Sequence, residues 1–320
     1  MAKKKILVTG VAGFVGSNLA DRLVREGYSV VGIDNLSQGF IEQVPKEVEF
    51  HKLDIRSKEI FPLFKGIDVV FHLAAKTNVS ECQEVPYEAA DNNVMGTLMV
   101  FNACRAAGVA RVIYVESSAV YEGSTTLPTP ETDFAPQTFY GISKGVDHMF
   151  AKGYQEFYGM RMVGLRYFNV YGPRQDYRRA MPPLMSRFII KLLMGEKKLP
   201  VFGDGTDRRD YVHVDDVNDL HMILIESPDA VGKELRVLNV GSGTNNSILE
   251  IKEIIEEVLG VKGETQFVPN IPGAAKETLA DISSGKKLGW VPKASLKEGL
   301  KGMVEYIKSE IAKGNVTKAV

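Results

Sequence analysis

The chain of 320 residues is 44% apolar and 25% charged. That is enough for a buried core under a soluble surface, and it excludes a disordered tail, a collagen-like fibre and a small disulfide scaffold. Its 39 basic residues stand against 40 acidic ones, a formal net charge of -1, so the basic footprint of a nucleic-acid binder is missing and a small-molecule partner is expected.

The amino terminus, Met1-Ala2-Lys3-Lys4-Lys5, runs directly into the strand-like Ile6-Leu7-Val8. No signal-peptide stretch or membrane-length apolar run is visible, so a cytoplasmic protein with no membrane partner is expected. Apolar runs rich in Val and Ile recur at 6–9, 28–33, 48–53, 67–73, 111–115, 161–168 and 235–240. Helix-like stretches at 14–26, 56–65, 86–107 and 140–158 separate most of them. This alternation predicts an α/β fold with a doubly wound parallel sheet, covered by helices on both faces. Runs such as Asp68-Val69-Val70-Phe71 fit strands buried on both sides.

The first strand-to-helix turn reads Thr9-Gly10-Val11-Ala12-Gly13-Phe14-Val15-Gly16. Gly10 suits a tight turn, Gly13 lets a phosphate approach the backbone, and Gly16 allows close packing of the helix. Phe14 and Val15 open that helix, whose N-terminal N–H groups suit a pyrophosphate. The second strand ends at Asp34-Asn35, with Asp34 18 residues beyond Gly16, near the ~20-residue offset of a carboxylate that binds ribose hydroxyls. No Arg follows at once, so NAD is favoured over NADP.

Cys82 and Cys104 have neither paired-Cys spacing nor a neighbouring His cluster, so they read as reduced thiols, with no metal site. After the strand 111–115 comes Glu116-Ser117-Ser118-Ala119-Val120-Tyr121, which puts a hydroxyl at a strand's carboxyl end. Tyr140 and Lys144 fall four apart at the start of a helical stretch and so share one face. A phenol of reference pKa ~10 needs about 4 kcal/mol of phenolate stabilisation to act as a base at neutral pH. One cation ~5.5 Å away supplies about 3 kcal/mol at an effective dielectric of ~20, so Lys144 and an oxidised nicotinamide together suffice where either alone falls short.

Beyond about residue 175 the pattern loosens. Met181-Pro182-Pro183 opens a helix-like run to Gly195, Gly203-Asp204-Gly205 marks a turn, and 247–259 reads as a helix with Ser247 and Glu250 in a capping box. The expected division is a Rossmann lobe of residues 1–180, to which 211–245 return. Residues 181–210 and 246–320 form a smaller α+β substrate lobe over the carboxyl edge of the sheet.

Taken in order, Gly10/Gly13/Gly16, Asp34, Asp54-Ile55, His72-Leu73-Ala74-Ala75, Asn92-Asn93, Ser117, Tyr140/Lys144, Leu165 to Arg174, and Arg209-Asp210-Tyr211-Val212-His213 resemble the extended short-chain dehydrogenase/reductase family. The likeness is to its NAD-dependent sugar-nucleotide epimerases, of the UDP-galactose 4-epimerase type, and covers nearly the whole chain. The resemblance implies that Asp54 and Ile55 meet the adenine and that Leu73, Ala74 and Ala75 line the nicotinamide side. It implies that Asn92 or Asn93 holds a loop near the cofactor, that Phe168 packs by the nicotinamide, and that Asn169 and Arg209 meet the substrate's diphosphate. Tyr140 would be the base, Ser117 would orient the sugar hydroxyl with Ser118 as alternative, and Lys144 would bind the nicotinamide ribose. His72 and His213 read as structural, and Arg208 as a solvated neighbour. The helices 86–107 and 140–158 would pair across a two-fold axis in a homodimer.

Departures from the family pattern narrow the reaction. Glu116 and Glu122 stand where it has small residues. Sugar dehydratases of this fold resemble Thr-Asp-Glu where this chain has Ser117-Ser118-Ala119, so elimination is disfavoured. Ile271-Pro272-Gly273-Ala274 replaces the family's Arg-Pro-Gly-Asp, with Lys276 nearby, and a lysine is no equivalent of a bidentate guanidinium. The expected function is an NAD-dependent 4-epimerase of a nucleotide sugar, UDP-hexose favoured, working through a 4-keto intermediate. The alternatives are another nucleotide-sugar oxidoreductase or dehydratase on the same scaffold, or a non-catalytic NAD-binding module.

Overall fold

A computed structural model describes residues 3–179, 181–227, 232, 234–269 and 275–316. The chain begins with β1 (Lys5–Thr9), α1 (Phe14–Arg25), β2 (Ser29–Asp34), β3 (Glu49–Lys52), β4 (Val69–His72), α2 (Val79–Glu84), α3 (Pro86–Ala90) and α4 (Gly96–Ala107). It continues through β5 (Arg111–Ser117), α5 (Phe139–Tyr158), β6 (Met162–Tyr167), β7 (Asn169–Tyr171), α6 (Leu184–Leu193), β8 (Lys198–Phe202), β9 (Arg208–Arg209) and β10 (Tyr211–His213). Then follow α7 (Val214–Glu226), β11 (Arg236–Val240), β12 (Asn246–Ser247), α8 (Ile248–Leu259), β13 (Glu264–Val268), α9 (Ser283–Lys287) and α10 (Leu296–Ala312).

The seven apolar runs become the seven strands of one sheet, in the order β11-β6-β5-β4-β1-β2-β3. Every pair in it is parallel, so the predicted fold class is the one found. Side chains alternate across the sheet. Ile6 and Val8 pack with Leu19, Leu23, Val217 and Leu220 of α1 and α7. Leu7 packs with Phe101, Cys104, Ala151 and Tyr154 of α4 and α5. Covering both faces is what makes these strands continuously apolar. The chain lays β2 and β3 to one side of β1, then crosses so that β4 pairs with the other side. Loops after β1 and β4 therefore part at the carboxyl ends of the strands and leave a crevice there.

A second core lies beyond the sheet. There Phe188, Ile189, Leu199, Val201, Ile251, Ile255, Leu300 and Ile307 join α6, α8 and α10 to the β8–β13 pair. The capping box of α8 forms as expected. Ser247 Oγ accepts from the Glu250 N–H at 3.1 Å, and a Glu250 oxygen accepts from the Ser247 N–H at 2.8 Å.

Three helical expectations change in form. Residues 56–65 hold a 3-10 stretch, Lys58–Phe64, with Pro62 inside it, where the missing N–H and the ring disfavour an α-helix. The 86–107 stretch is broken by a π-helical turn, Asp91–Met95, between α3 and α4. At 181–195 the helix begins only at Leu184, because Pro183 pushes the residue before it out of the α region. Among the described residues, no helix is long and apolar enough to cross a membrane.

Candidate active site

A cleft of about 660 Å³ opens at the carboxyl ends of the sheet strands, between them and the second core. Gly10, Gly13, Phe14, Val15 and Gly16 form its floor. Gly10 has φ +71°, and a Cβ there would stand 2.9 Å from the Ala74 backbone. A Cβ at Gly16 would lie 2.1 Å from the Gly10 carbonyl oxygen, so only glycine fits at either place. Above Gly13 the space is open, with only the Gly10 oxygen near, at 3.3 Å. No side chain caps α1, which leaves its first-turn N–H groups for an anion. The loop after β2 lies against this turn, with the Phe40 N–H on the Ala12 carbonyl at 3.0 Å.

Asp34 and Asn35 stand on the adjoining wall. The Asp34 carboxylate accepts the Ala12 and Leu36 N–H groups at 3.0 and 2.8 Å. Burial raises its pKa against the pull of those two bonds. Its oxygens keep lone pairs for ribose hydroxyls, and no cation awaits a 2′-phosphate in Asn35-Leu36-Ser37. The open cradle at Gly13, the uncapped helix and this acceptor fit a dinucleotide of the NAD type. Ile55, Leu73, Ala74, Ala75 and Asn92 continue the wall. Asp54 is not on it: its carboxylate is engaged by Arg56 at 2.7 Å and Asn35 at 2.9 Å, and Arg56 holds its pKa well below the usual range. Of the two adjacent asparagines, Asn92 faces the cleft while Asn93 ties Lys76 to Ser143 on α5, with bonds of 2.7, 3.0 and 3.0 Å. His72 bridges Thr9 and Thr97 at 2.8 and 2.9 Å, a structural position, as expected.

Ser117 ends β5 on the cleft wall, and Tyr140 lies beside it in the first turn of α5. Ser118 is not among the lining residues. Thr138 caps α5 through the Gly141 N–H at 3.0 Å. Glu122 fixes the same end, accepting the Gln137 and Thr138 N–H groups at 3.0 and 2.7 Å and the Thr138 hydroxyl at 2.8 Å. Tyr140 is 9% exposed, and burial raises its phenol, with the Lys144 charge and then the Ser117 hydroxyl pulling against that rise. Lys144 does not reach the cleft surface. Its ammonium lies 2.6 Å from Asp147, and Asp147, by burial and against Lys144, is pushed up to about 6. Sequence reasoning missed Asp147, although its place three residues after Lys144 on the same helix was a signal.

Glu116, the other departure, borders the cleft between Val115 and Ser117, with its side chain fully buried. Its carboxylate meets Arg166 at 2.7 Å, the Tyr114 hydroxyl at 2.7 Å and His148 at 3.0 Å. Burial pushes Glu116 up, but His148 and Arg166 together hold it below the usual range. The two unexpected carboxylates thus both fasten α5 to the sheet side of the cleft.

Phe168, Asn169 and Arg209 also line the cleft. Asn169 donates to the Asp210 carbonyl at 2.9 Å. The Arg209 guanidinium donates to the carbonyls of Arg208 and Lys276 at 2.9 and 3.2 Å and lies 3.6 Å from Asp207. Arg208 is not merely solvated: it binds Asn245 at 2.9 Å and Glu250 at 3.1 Å. Ile271 and Ala274 lie outside the described residues. Lys276 is exposed.

A model of the NAD dependent epimerase/dehydratase family matches residues 6–241. The chain is 35% identical to a putative UDP-glucose 4-epimerase of Methanocaldococcus jannaschii over 308 residues, 95% of this chain and 98% of that one. It is similar to a solved UDP-glucose 4-epimerase of Thermotoga maritima with UDP-glucose, with a TM-score of 0.90, 35% identity, and 96% and 99% of the two chains covered. It is also similar to a UDP-N-acetylglucosamine 4-epimerase of Methanobrevibacter ruminantium in complex with UDP-N-acetylmuramic acid, with a TM-score of 0.91, 32% identity, and coverage of 97% and 100%.

Proposed function

The chain belongs to the NAD-dependent epimerase/dehydratase family, and on that premise we propose that it is a nucleotide-sugar 4-epimerase whose base is Tyr140. The observation that carries this reading is the Tyr140 phenol on the cleft wall beside Ser117, under the influence of Lys144, in the same crevice as the glycine turn. NAD would be held by Gly10, Gly13, Phe14, Val15, Gly16, Asp34, Ile55, Ala74 and Phe168, and when bound it supplies a hydride acceptor that returns what it takes. Tyr140, as phenolate, accepts the proton of the sugar 4-hydroxyl and later gives it back. Ser117 orients that hydroxyl and steadies the oxygen as it becomes a ketone. Lys144 favours the phenolate from behind Tyr140, and to meet the nicotinamide ribose its ammonium would turn from Asp147 toward the cleft. The ketone turns within the cleft and is reduced on its other face.

Water elimination is disfavoured because Ser118 and Ala119 carry no carboxylate and Glu116 is committed to Arg166, Tyr114 and His148. We favour a UDP-hexose as substrate, a preference supported by the UDP-glucose 4-epimerases that the chain is similar to. We also propose a homodimer through α5, supported by the exposed Ile142, Met149, Phe150 and Phe157 along it, and work in the cytoplasm, supported by the free, buried Cys82 and Cys104.

The test is incubation with UDP-, GDP- and dTDP-sugars, with products read by NMR. A UDP-hexose should yield its C4 epimer without net reduction of added cofactor, and Tyr140→Phe should lower kcat about 10³-fold with NAD retained. Steady reduction of added cofactor, or full activity without the phenol, would sink the reading.

A further inference from the structure

Among the described residues four cations line the cleft: Lys76, Arg179, Arg187 and Arg209. Three have a carboxylate close by, since Lys76 meets Glu88 at 2.6 Å, Arg179 meets Asp176 at 3.1 Å and Arg209 lies 3.6 Å from Asp207. Arg187 has none among the described residues. It is 8% exposed, its Nε is buried without a hydrogen-bond partner among the described residues, and its guanidinium lies over the rings of Phe202 and Phe188, at 5.5 and 5.8 Å. Burial works against its charge.

A buried cation with no counter-charge destabilises a fold, so its presence on a cleft wall calls for an anion from outside the chain. Arg187 sits on α6, on the second-core side with Phe202 and Arg209, whereas Tyr140 and Ser117 come from the sheet side. A nucleotide sugar with its reacting carbon at Tyr140 has its diphosphate as the nearest anionic group. A planar guanidinium matches two phosphate oxygens at once. We propose that Arg187 binds the diphosphate of the nucleotide sugar alongside Arg209, an assignment that rests on the nucleotide-sugar reading above. Ile271 offers no charge for that role.

Calorimetric titration of the NAD-loaded protein with UDP and with uridine tests the assignment in wild type, Arg187→Met and Arg187→Lys. Loss of a charge-assisted contact predicts that Arg187→Met weakens UDP about 30-fold while uridine binding holds. Arg187→Lys, which keeps the charge but not the fork, falls between the two. In turnover the loss appears in KM and not in kcat, and the thermal midpoint of the ligand-free Met variant is not lowered, because an unpaired charge has been removed. UDP binding by Arg187→Met within about threefold of wild type, or an equal weakening of uridine, overturns the diphosphate assignment alone. If the Met variant does not fold, the Lys variant decides, and wild-type affinity for UDP in it overturns the assignment. A wild-type protein that binds no UDP overturns both this assignment and the reading it rests on.

Discussion

Burial works against Tyr140 as a base, and the chain's own cation does not overcome it. Lys144 is itself muted by Asp147 at 2.6 Å, so the phenol needs the further positive charge of an oxidised nicotinamide to ionise near neutrality. Asp147, pushed up to about 6, is charged above that pH, and its charge is among the influences raising the phenol. Burial works against the Lys144 charge, while Asp147, Tyr140 and Glu116 favour it, and the last two remain when Asp147 is replaced. Asp147→Asn therefore lowers the phenol's pKa and moves the acid limb of the kcat/KM profile to lower pH, by about half a unit. An unmoved limb in the measured profile would show that Asp147 only packs. At this scale the sequence exposed the residues whose spacing is local, Gly10 to Gly16, Asp34 and the Tyr140/Lys144 pair. It did not show how Asp54 is tied down, since Asn35, which with the sequence neighbour Arg56 occupies its carboxylate, comes beside it only once the chain has folded.

Where an element begins matters as much as what it carries, because Tyr140 is in the first turn of α5 and inherits whatever freedom that turn has. Thr138 and Glu122 remove most of it. Thr138→Ala is expected to cost about 1 kcal/mol of stability and to lower kcat more than it raises KM, measurable by urea unfolding and initial rates. Unchanged values in both would mean that Glu122 holds the turn by itself. The capping box of α8 was legible because Ser247 and Glu250 lie within one turn of each other. The Glu122 clamp was not, because it joins positions 16 apart across a loop. Residues 56–65 misled for another reason: the spacing of the buried Ile60 and Phe64 suits an α-helix, and Pro62 tightens it into a 3-10 stretch. The β8 and β13 pair carries Pro200 within a strand and joins Lys198 to Glu264, a pairing that local periodicity cannot signal.

On the scale of the molecule the cleft is shared by two cores, and the sequence spoke mainly for one of them. The dinucleotide half is written in a single strand-turn-helix unit. The other half holds Arg187, which has no counter-charge among the described residues, a property that exists only when every neighbour is in place. Outside the cleft, Ile142, Met149 and Phe157 recur every seven or eight residues along α5, with Met149 66% and Phe157 81% exposed. Sedimentation is expected to give twice 35.3 kDa for the wild type and a single copy for the Met149→Glu/Phe157→Glu variant, with the fold intact by circular dichroism. A wild type that sediments as one copy removes the dimer. The loop after β2 rests on the glycine turn, with a Cβ at Gly39 coming within 2.7 Å of the Ala12 backbone. If that loop also lies over a coenzyme seated on the turn, the coenzyme would depart only when the loop lifts. Its exchange would then follow local opening and not catalytic rounds, and turnover would be expected to be the same whether the surrounding dinucleotide pool is oxidised or reduced.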